Sequence, residues 1–307
     1  MHSTHKTGRR PFTGCGTALV TPFNADGSLD ETAFRTLTRR QLDAGVHFLV
    51  PLGTTGENPT LTKLERCRLV EILAHEAKGR VPILAGAGGY NTREVMETAR
   101  ELQAAGADGF LSVTPYYNKP TQEGLFEHFR AIAESTTLPI VLYNVPPRTA
   151  CNLEVATVVR LASIPNIVGI KEASGNISQV CDLCAAVPEG FIVLSGDDAL
   201  TLSMMAAGAR GVISVVSNEM PLEMSQMVEA AERNDFVAAR EIHTRILPLM
   251  QGNFVESSPG PVKAALAQMG LIREAYRLPL VAPRPTSREK ISSVLKALKL
   301  VDSPALV

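Results

Sequence analysis

Lys171 stands in the run Ile167-Val168-Gly169-Ile170-Lys171-Glu172, an amine among apolar, mostly β-branched neighbours. A lysine in such a setting must pair, shift its pKa or react. An ordinary lysine, with a pKa of about 10.4, holds roughly four neutral amines in ten thousand at pH 7. Lowering that pKa toward 7 to 8 costs about 3 to 5 kcal/mol of differential solvation, which an apolar wall can supply. The neutral amine attacks a ketone to form an imine, whose protonated nitrogen draws electrons from the adjacent carbon. The competing assignment is a structural lysine paired with Glu172. Strand alternation disfavours it, because adjacent side chains face opposite ways.

Three further groups have chemistry to offer. Tyr143 lies near the end of the apolar run 140–144, and a phenol there can carry protons to and from a bound substrate. Gly53-Thr54-Thr55-Gly56 is a small-residue turn whose backbone N–H groups can hold a carboxylate, although Gly and Thr also fill ordinary turns. Arg148, in Pro146-Pro147-Arg148, either offers a two-pronged fork to a second carboxylate or is a solvated surface side chain.

These residues share a location only if the chain folds in a particular way. Eight short apolar runs, at 17–21, 48–52, 81–85, 109–114, 140–144, 167–172, 191–196 and 211–216, recur along it, with polar turns and helical periodicity between them. The amphipathic segments include 32–44, 63–78, 92–105, 123–134 and 221–233. Thr62 with Glu65 and Asn91 with Glu94 have the spacing of helix N-caps, and Ala44-Gly45, Gly106-Ala107 and Gly208-Ala209 read as helix ends. Eight such units predict an α/β fold, a closed TIM (β/α)8 barrel over residues 11–234. The remainder, 235–307, reads as all-helical at 235–250, 259–271 and 287–300 and is expected to pack on the barrel as a C-terminal extension.

In such barrels the site forms at the carboxyl ends of the strands. That rule gathers the 53–57 turn, Tyr116-Tyr117, the 143–149 segment, Lys171, Gly196 and Ile213 at one mouth. With Ile167 and Gly169 on its own face, Lys171 is predicted to point inward.

Composition narrows the partners. The 307 residues carry 30 basic and 31 acidic side chains for a formal charge of -1, which provides no field for nucleic acid or an anionic membrane. A small molecule is the expected ligand. Five scattered cysteines imply reduced thiols and a cytoplasmic protein, with Cys181 and Cys184 read as core. Residues 1–10 are polar and basic without an apolar stretch, and nowhere do the roughly 18 apolar residues of a spanning helix occur in a row. His47, His75, His128 and His243 lack ligand spacing, so no metal is expected. Asp197 and Asp198 read as helix caps, Glu57 as securing its turn and Met204-Met205 as core.

The motifs Gly53-Thr54-Thr55-Gly56-Glu57, Tyr143-Asn144-Val145-Pro146-Pro147-Arg148-Thr149 and Gly169-Ile170-Lys171-Glu172 resemble those of the pyruvate-dependent class I aldolases of the dihydrodipicolinate synthase and N-acetylneuraminate lyase family. The likeness runs from Gly16-Thr17-Ala18-Leu19-Val20-Thr21-Pro22-Phe23 to Pro261-Val262-Lys263. Within the family, Arg148 and Tyr116-Tyr117 resemble the dihydrodipicolinate synthase branch; sialic-acid and sugar-acid aldolases typically lack that arginine.

The resemblance implies that Lys171 forms an imine with pyruvate and that Tyr143, Thr55 and Tyr117 form a proton relay, Tyr117 reaching into a neighbouring subunit's site. It implies that Thr54 and Thr55 hold the pyruvate carboxylate, that Arg148 binds the carboxylate of aspartate semialdehyde, and that the backbone at Gly196 and Ile213 lines the pocket. It further implies the lysine and diaminopimelate pathway, a homotetramer built as a dimer of dimers, and no metal or organic cofactor. One departure stands out: where lysine-inhibited members place small polar residues and histidines just after the Gly-Thr-Thr-Gly-Glu turn and an asparagine after strand three, this chain has Asn58, Pro59, Lys63, Arg66 and Tyr90, beside Glu94 and Tyr116. Two cations facing a lysine ammonium predict weak or absent inhibition. The alternatives are another pyruvate-dependent aldolase, acting on 2-keto-3-deoxy acids or 4-hydroxy-2-oxoglutarate, and a non-catalytic barrel scaffold. A scaffold has no need of a buried amine beside a phenol.

Overall fold

A computed structural model of the chain describes residues 12–302. The polar segment 1–10 and Pro11, the expected first residue of the barrel, lie outside the described residues. Strands and helices alternate as β1 (Gly14–Ala18), α1 (Glu31–Asp43), β2 (Phe48–Val50), α2 (Lys63–Ala77), β3 (Leu84–Gly86), α3 (Thr92–Ala105), β4 (Gly109–Val113), α4 (Gln122–Glu134), β5 (Ile140–Asn144), the single turn α5 (Pro146–Thr149), α6 (Val155–Leu161), β6 (Ile167–Glu172), α7 (Ile177–Ala186), β7 (Ile192–Ser195), α8 (Thr201–Ala206), β8 (Gly211–Ser214) and α9 (Pro221–Glu232). Three more helices follow: α10 (Phe236–Gly252), α11 (Gly260–Gln268) and α12 (Pro285–Ala297).

The eight strands pair in parallel, in the order β2-β1-β8-β7-β6-β5-β4-β3. The remaining seam, β2 against β3, is bridged at Leu49 and Ile83, with Leu49 N–H donating to the Pro82 carbonyl at 3.0 Å and Gly86 N–H to that of Pro51 at 2.9 Å. The fold is thus the expected TIM barrel. Strand side chains alternate between two cores. Phe48, Val50, Leu111, Val141, Tyr143, Leu194 and Ile213 fill the interior, while Leu49, Phe110, Leu142, Val193 and Val212 pack outward against the helices.

Three strand expectations need correction, the simplest being β3, which runs over Leu84–Gly86 rather than 81–85. β1 runs over Gly14–Ala18 rather than 17–21. Leu19 and Val20 are as buried as strand residues, but the Val20 N–H leaves the ladder for the Asn218 side chain, so apolarity there reported burial rather than pairing. In β6, the register slips between Ile140↔Ile167 and Val141↔Gly169, leaving Val168 as an extra residue. This bulge shifts the phase of the strand. Ile167 therefore packs outward with Ile170, and does not share the inward face of Lys171 as predicted.

Helix ends follow their sequence signals. Thr62 and Glu65 form a reciprocal capping box on α2, and Asn91 caps α3 while donating to Glu94 at 2.8 Å. Gly106, at φ 108°, ends α3 in a conformation that side chains resist. All five cysteines are free; Cys15 and Cys151 are buried, Cys184 is half-buried, and Cys181 is exposed, contrary to the core reading. Met204 and Met205 are core, and burial drives the His128 imidazole down to about 4. Among the described residues, no helix is long and apolar enough to cross a membrane and no cluster of His, Cys, Asp or Glu could hold a metal ion.

The C-terminal helices lie on the barrel's outer layer, α10 against α8 and α9, and α12 against α10 and α11. The chain between α11 and α12 is fastened by Arg277, which donates to the Gly27 carbonyl at 2.7 and 2.9 Å, the Thr60 carbonyl at 2.8 Å and Glu65 at 2.5 and 2.9 Å. That guanidinium holds the Glu65 carboxyl down to about 2, against an ordinary 4.5. A depressed carboxyl contributes stability fully above its unfolded pKa and loses it as pH falls through the folded one. Arg277→Ala is therefore expected to lower the melting temperature by at least about 2 °C at neutral pH. The gap between variant and wild type is expected to close as pH falls from 4.5 toward 2. Thermal melts over that range measure it, and a gap that does not narrow would contradict the assignment.

Candidate active site

β6 carries Lys171 inward at the level of Tyr143 on β5, the two being register partners. Lys171 is 6% exposed, and its Nζ lies over the Tyr143 ring, 4.3 Å from the centroid. Among the described residues Nζ has no hydrogen-bond or ion-pair partner. Glu172 faces the other way, accepting from Asn144 Nδ2 at 2.9 Å, Ser174 N–H at 2.6 Å and Gln179 Nε2 at 3.3 Å. The salt-bridged alternative for Lys171 is thereby removed. Gly196, just beyond β7, supplies space: a Cβ there would stand 2.9 Å from Lys171 Cε and 2.6 Å from the Ala173 Cβ. Ile213 lies in the interior core with Tyr143.

In front of Tyr143 opens a cavity of about 310 Å³, walled by the ends of β2 to β5 and by C-terminal segments. Its polar wall includes Thr54, Glu57, Tyr116, Tyr143 and Arg148. Lys171, Gly196 and Ile213 are not in its lining; the amine meets it only through Tyr143, over whose ring it lies. The 53–57 turn is closed by Gly56 N–H to the Gly53 carbonyl and Glu57 N–H to the Thr54 carbonyl, both 3.1 Å, and the Thr21 hydroxyl donates to the Gly56 carbonyl at 2.7 Å. The amides of Thr54 and Thr55 donate to no described group. Thr54 lines the cavity, whereas Thr55 is buried away from it, so the two threonines are not equivalent as predicted.

Arg148 reaches the cavity from α5, its Nη2 donating to the Ser258 carbonyl at 3.1 Å. Tyr117 is not brought to this site: it is 88% exposed, at φ 65°, beside the Tyr90 ring at 6.5 Å. Tyr116 instead lines the cavity, and burial raises its phenol pKa. Asp197 accepts the Ala199 N–H at 2.9 Å ahead of α8, and Asp198 is buried and accepts the Val215 and Val216 amides at 2.9 and 2.8 Å, tying β8 to α8. Both are structural, but only Asp197 resembles a cap.

Sequence reasoning missed the far wall. Ser258, Pro259, Pro279 and Leu280 belong to the C-terminal region yet line the cavity. Lys263 was a signal in view, an amine within Pro261-Val262-Lys263-Ala264-Ala265-Leu266. It is fully buried and pairs with Glu57 at 2.5 Å.

A profile of the dihydrodipicolinate synthetase family matches residues 11–298. The chain belongs to that family. Among its relatives, the 4-hydroxy-tetrahydrodipicolinate synthase of Koribacter versatilis (strain Ellin345) is 55% identical over 92% of this chain and 94% of the relative. Dihydrodipicolinate synthase from Aquifex aeolicus superposes with a TM-score of 0.92 at 43% identity, covering 94% of this chain and 99% of that one. The enzyme from Cyanidioschyzon merolae, solved with lysine bound, gives a TM-score of 0.92 at 38% identity over 95% of this chain and 100% of its own.

Proposed function

We propose that this chain, a lyase, condenses pyruvate, held as an imine on Lys171, with L-aspartate 4-semialdehyde, the reaction of a 4-hydroxy-tetrahydrodipicolinate synthase in lysine and diaminopimelate synthesis. Family membership and relatives of that activity at 50 and 55% identity support the reaction class. The observation that carries the chemistry is a buried amine with no counter-ion, lying against a phenol. An amine that no carboxylate or hydrogen bond engages has its lone-pair nitrogen uncommitted when a proton leaves, the requirement for attack on a ketone.

Lys171 attacks the pyruvate ketone, and water leaves as the imine forms. Loss of a methyl proton gives the enamine, with the imine nitrogen as electron sink, so no metal or organic cofactor is required. The enamine carbon bonds to the aldehyde carbon, whose oxygen gains a proton. The substrate's own amine then closes on the imine carbon and expels Lys171 as the free amine.

Tyr143 stands where it can pass protons to the carbinolamine. Thr54 and Thr55, with amides uncommitted, receive the pyruvate carboxylate; Thr54, which lines the cavity, is the better-placed relay member. Arg148 takes the acceptor's carboxylate, and Gly196 and Ile213 bound the space around the imine. Tyr117, exposed on its own subunit, serves a second copy, which calls for a dimer at least; the family resemblance extends this to a homotetramer arranged as a dimer of dimers, in the cytoplasm. Incubation with pyruvate and borohydride, then peptide mass analysis and an assay with aspartate semialdehyde, tests this reading. A mass adduct on Lys171 with turnover of the aldehyde is expected; an adduct without turnover would favour another acceptor.

Lysine is expected to inhibit weakly or not at all. Lys63 is drawn to Glu101 at 2.5 Å and Glu94 is held by Asn91, so the repulsion rests on Arg66, whose buried Nε has no partner among the described residues. Inhibition by submillimolar lysine in a steady-state assay would overturn this expectation.

A further inference from the structure

The ion pair between Lys263 and Glu57 joins the C-terminal region to the turn that meets the substrate. Lys263 lies on α11, and its fully buried Nζ stands 2.5 Å from Glu57 Oε1, across 206 residues of chain. Aromatic rings enclose it, Phe23 at 4.4 Å and Tyr276 at 5.2 Å from Nζ to the ring centroids. A buried pair of this kind adds little stability over an apolar pair of the same shape, but losing one partner strands the other charge.

Glu57 is the last residue of the substrate-facing turn, and its backbone is left-handed at φ 55°, a region that non-glycine residues occupy only where their surroundings hold them. Its N–H holds the Thr54 carbonyl at 3.1 Å, and its own carbonyl accepts from the Thr60 N–H and hydroxyl, both at 2.9 Å. Side chain, backbone and Thr54 thus move together. The same helix α11 begins two residues after Ser258, whose carbonyl steadies Arg148. Glu57 Oε2 is buried without a partner, so Lys263 is the sole side-chain tether of this carboxylate among the described residues.

We infer that Lys263 is a positioning residue: by pairing with Glu57 it fixes the 53–57 turn in the orientation that presents Thr54 to the pyruvate carboxylate. The inference rests on the pyruvate reading above. Burial lowers the Lys263 pKa and Glu57 opposes that shift, in keeping with a pair whose two charges depend on each other.

The test uses the full chain as wild type, Lys263→Met, Glu57→Gln and the double variant. Pyruvate KM and kcat are measured beside melting temperature, with borohydride trapping of pyruvate on Lys171 at saturating pyruvate. Lys263→Met is expected to raise the pyruvate KM about tenfold or more, because small displacements of a binding group are costly, while the trapped adduct persists at saturation. Glu57→Gln is expected to shift KM in the same direction, and the double variant to be no worse than Lys263→Met, as for two members of one device. A folded Lys263→Met protein with wild-type pyruvate KM and kcat would overturn the inference, as would effects that multiply in the double variant. Should Lys263→Met fail to accumulate, Glu57→Gln decides alone, an unchanged pyruvate KM refuting the role. Absence of any adduct in the wild type would instead overturn the pyruvate reading, and this inference with it.

Discussion

Lys171→Met is expected to reduce turnover by about a thousandfold or more and to abolish borohydride fixation of pyruvate, while leaving the barrel folded. Methionine keeps most of the length of the lysine chain, and so its fit against Gly196, where the nearest Lys171 atom is Cε, while giving up the Nζ contact with the Tyr143 ring. What it removes is an amine that is 6% exposed and has no ion-pair or hydrogen-bond partner among the described residues. No ion pair or hydrogen bond is lost with it, so the melting temperature is expected to hold. This combination separates a reactive lysine from a structural one, whose loss would destabilise. Kinetics, trapping and calorimetry on one preparation decide it; full activity in the variant would end the imine assignment.

The second large effect is expected at Arg148. Arg148→Ala is predicted to lower kcat/KM for aspartate semialdehyde by about a hundredfold, the loss of one two-pronged, charge-assisted contact. Pyruvate trapping on Lys171 is expected to survive, because Arg148 reaches the cavity from α5 and bonds to Ser258 rather than to anything around Lys171. The contrast is diagnostic of the acceptor. If the natural partner were an aldehyde without a carboxylate, the substitution would leave its turnover nearly intact. Equal losses in trapping and turnover would mean that Arg148 acts on the imine and not on the second substrate.

Much of this was legible in the residues because barrel strands announce themselves as short apolar runs and the mouth rule then sorts the polar groups. The β5 and β6 bounds match the apolar runs at 140–144 and 167–172, and the capping box at Thr62 and Glu65 has the expected partners. What failed was information that no local pattern holds. The bulge at Val168 depends on how β6 meets β5, so the face assigned to Ile167 was wrong although that of Lys171 was right. The inequality of Thr54 and Thr55 follows from the turn's three-dimensional path. Cys181 looked like core because its helix was read without knowing which side met the barrel. The C-terminal wall of the cavity was invisible because nothing in its polarity pattern points at the mouth, although the isolated amine of Lys263 posed the same question as Lys171.

That late-arriving wall bears on when the protein becomes competent during its own synthesis. All eight strands are present once Ser214 has been made, yet Ser258, Pro259, Pro279 and Leu280 still have to close the cavity. Because chains emerge from the ribosome amino end first, a nascent barrel would hold Lys171 and Tyr143 in place before the cavity that Tyr143 lines was finished. Translation must pass residue 280 before the cavity beside Tyr143 is walled on every side, which ties the finished chamber to the closing stretch of the message.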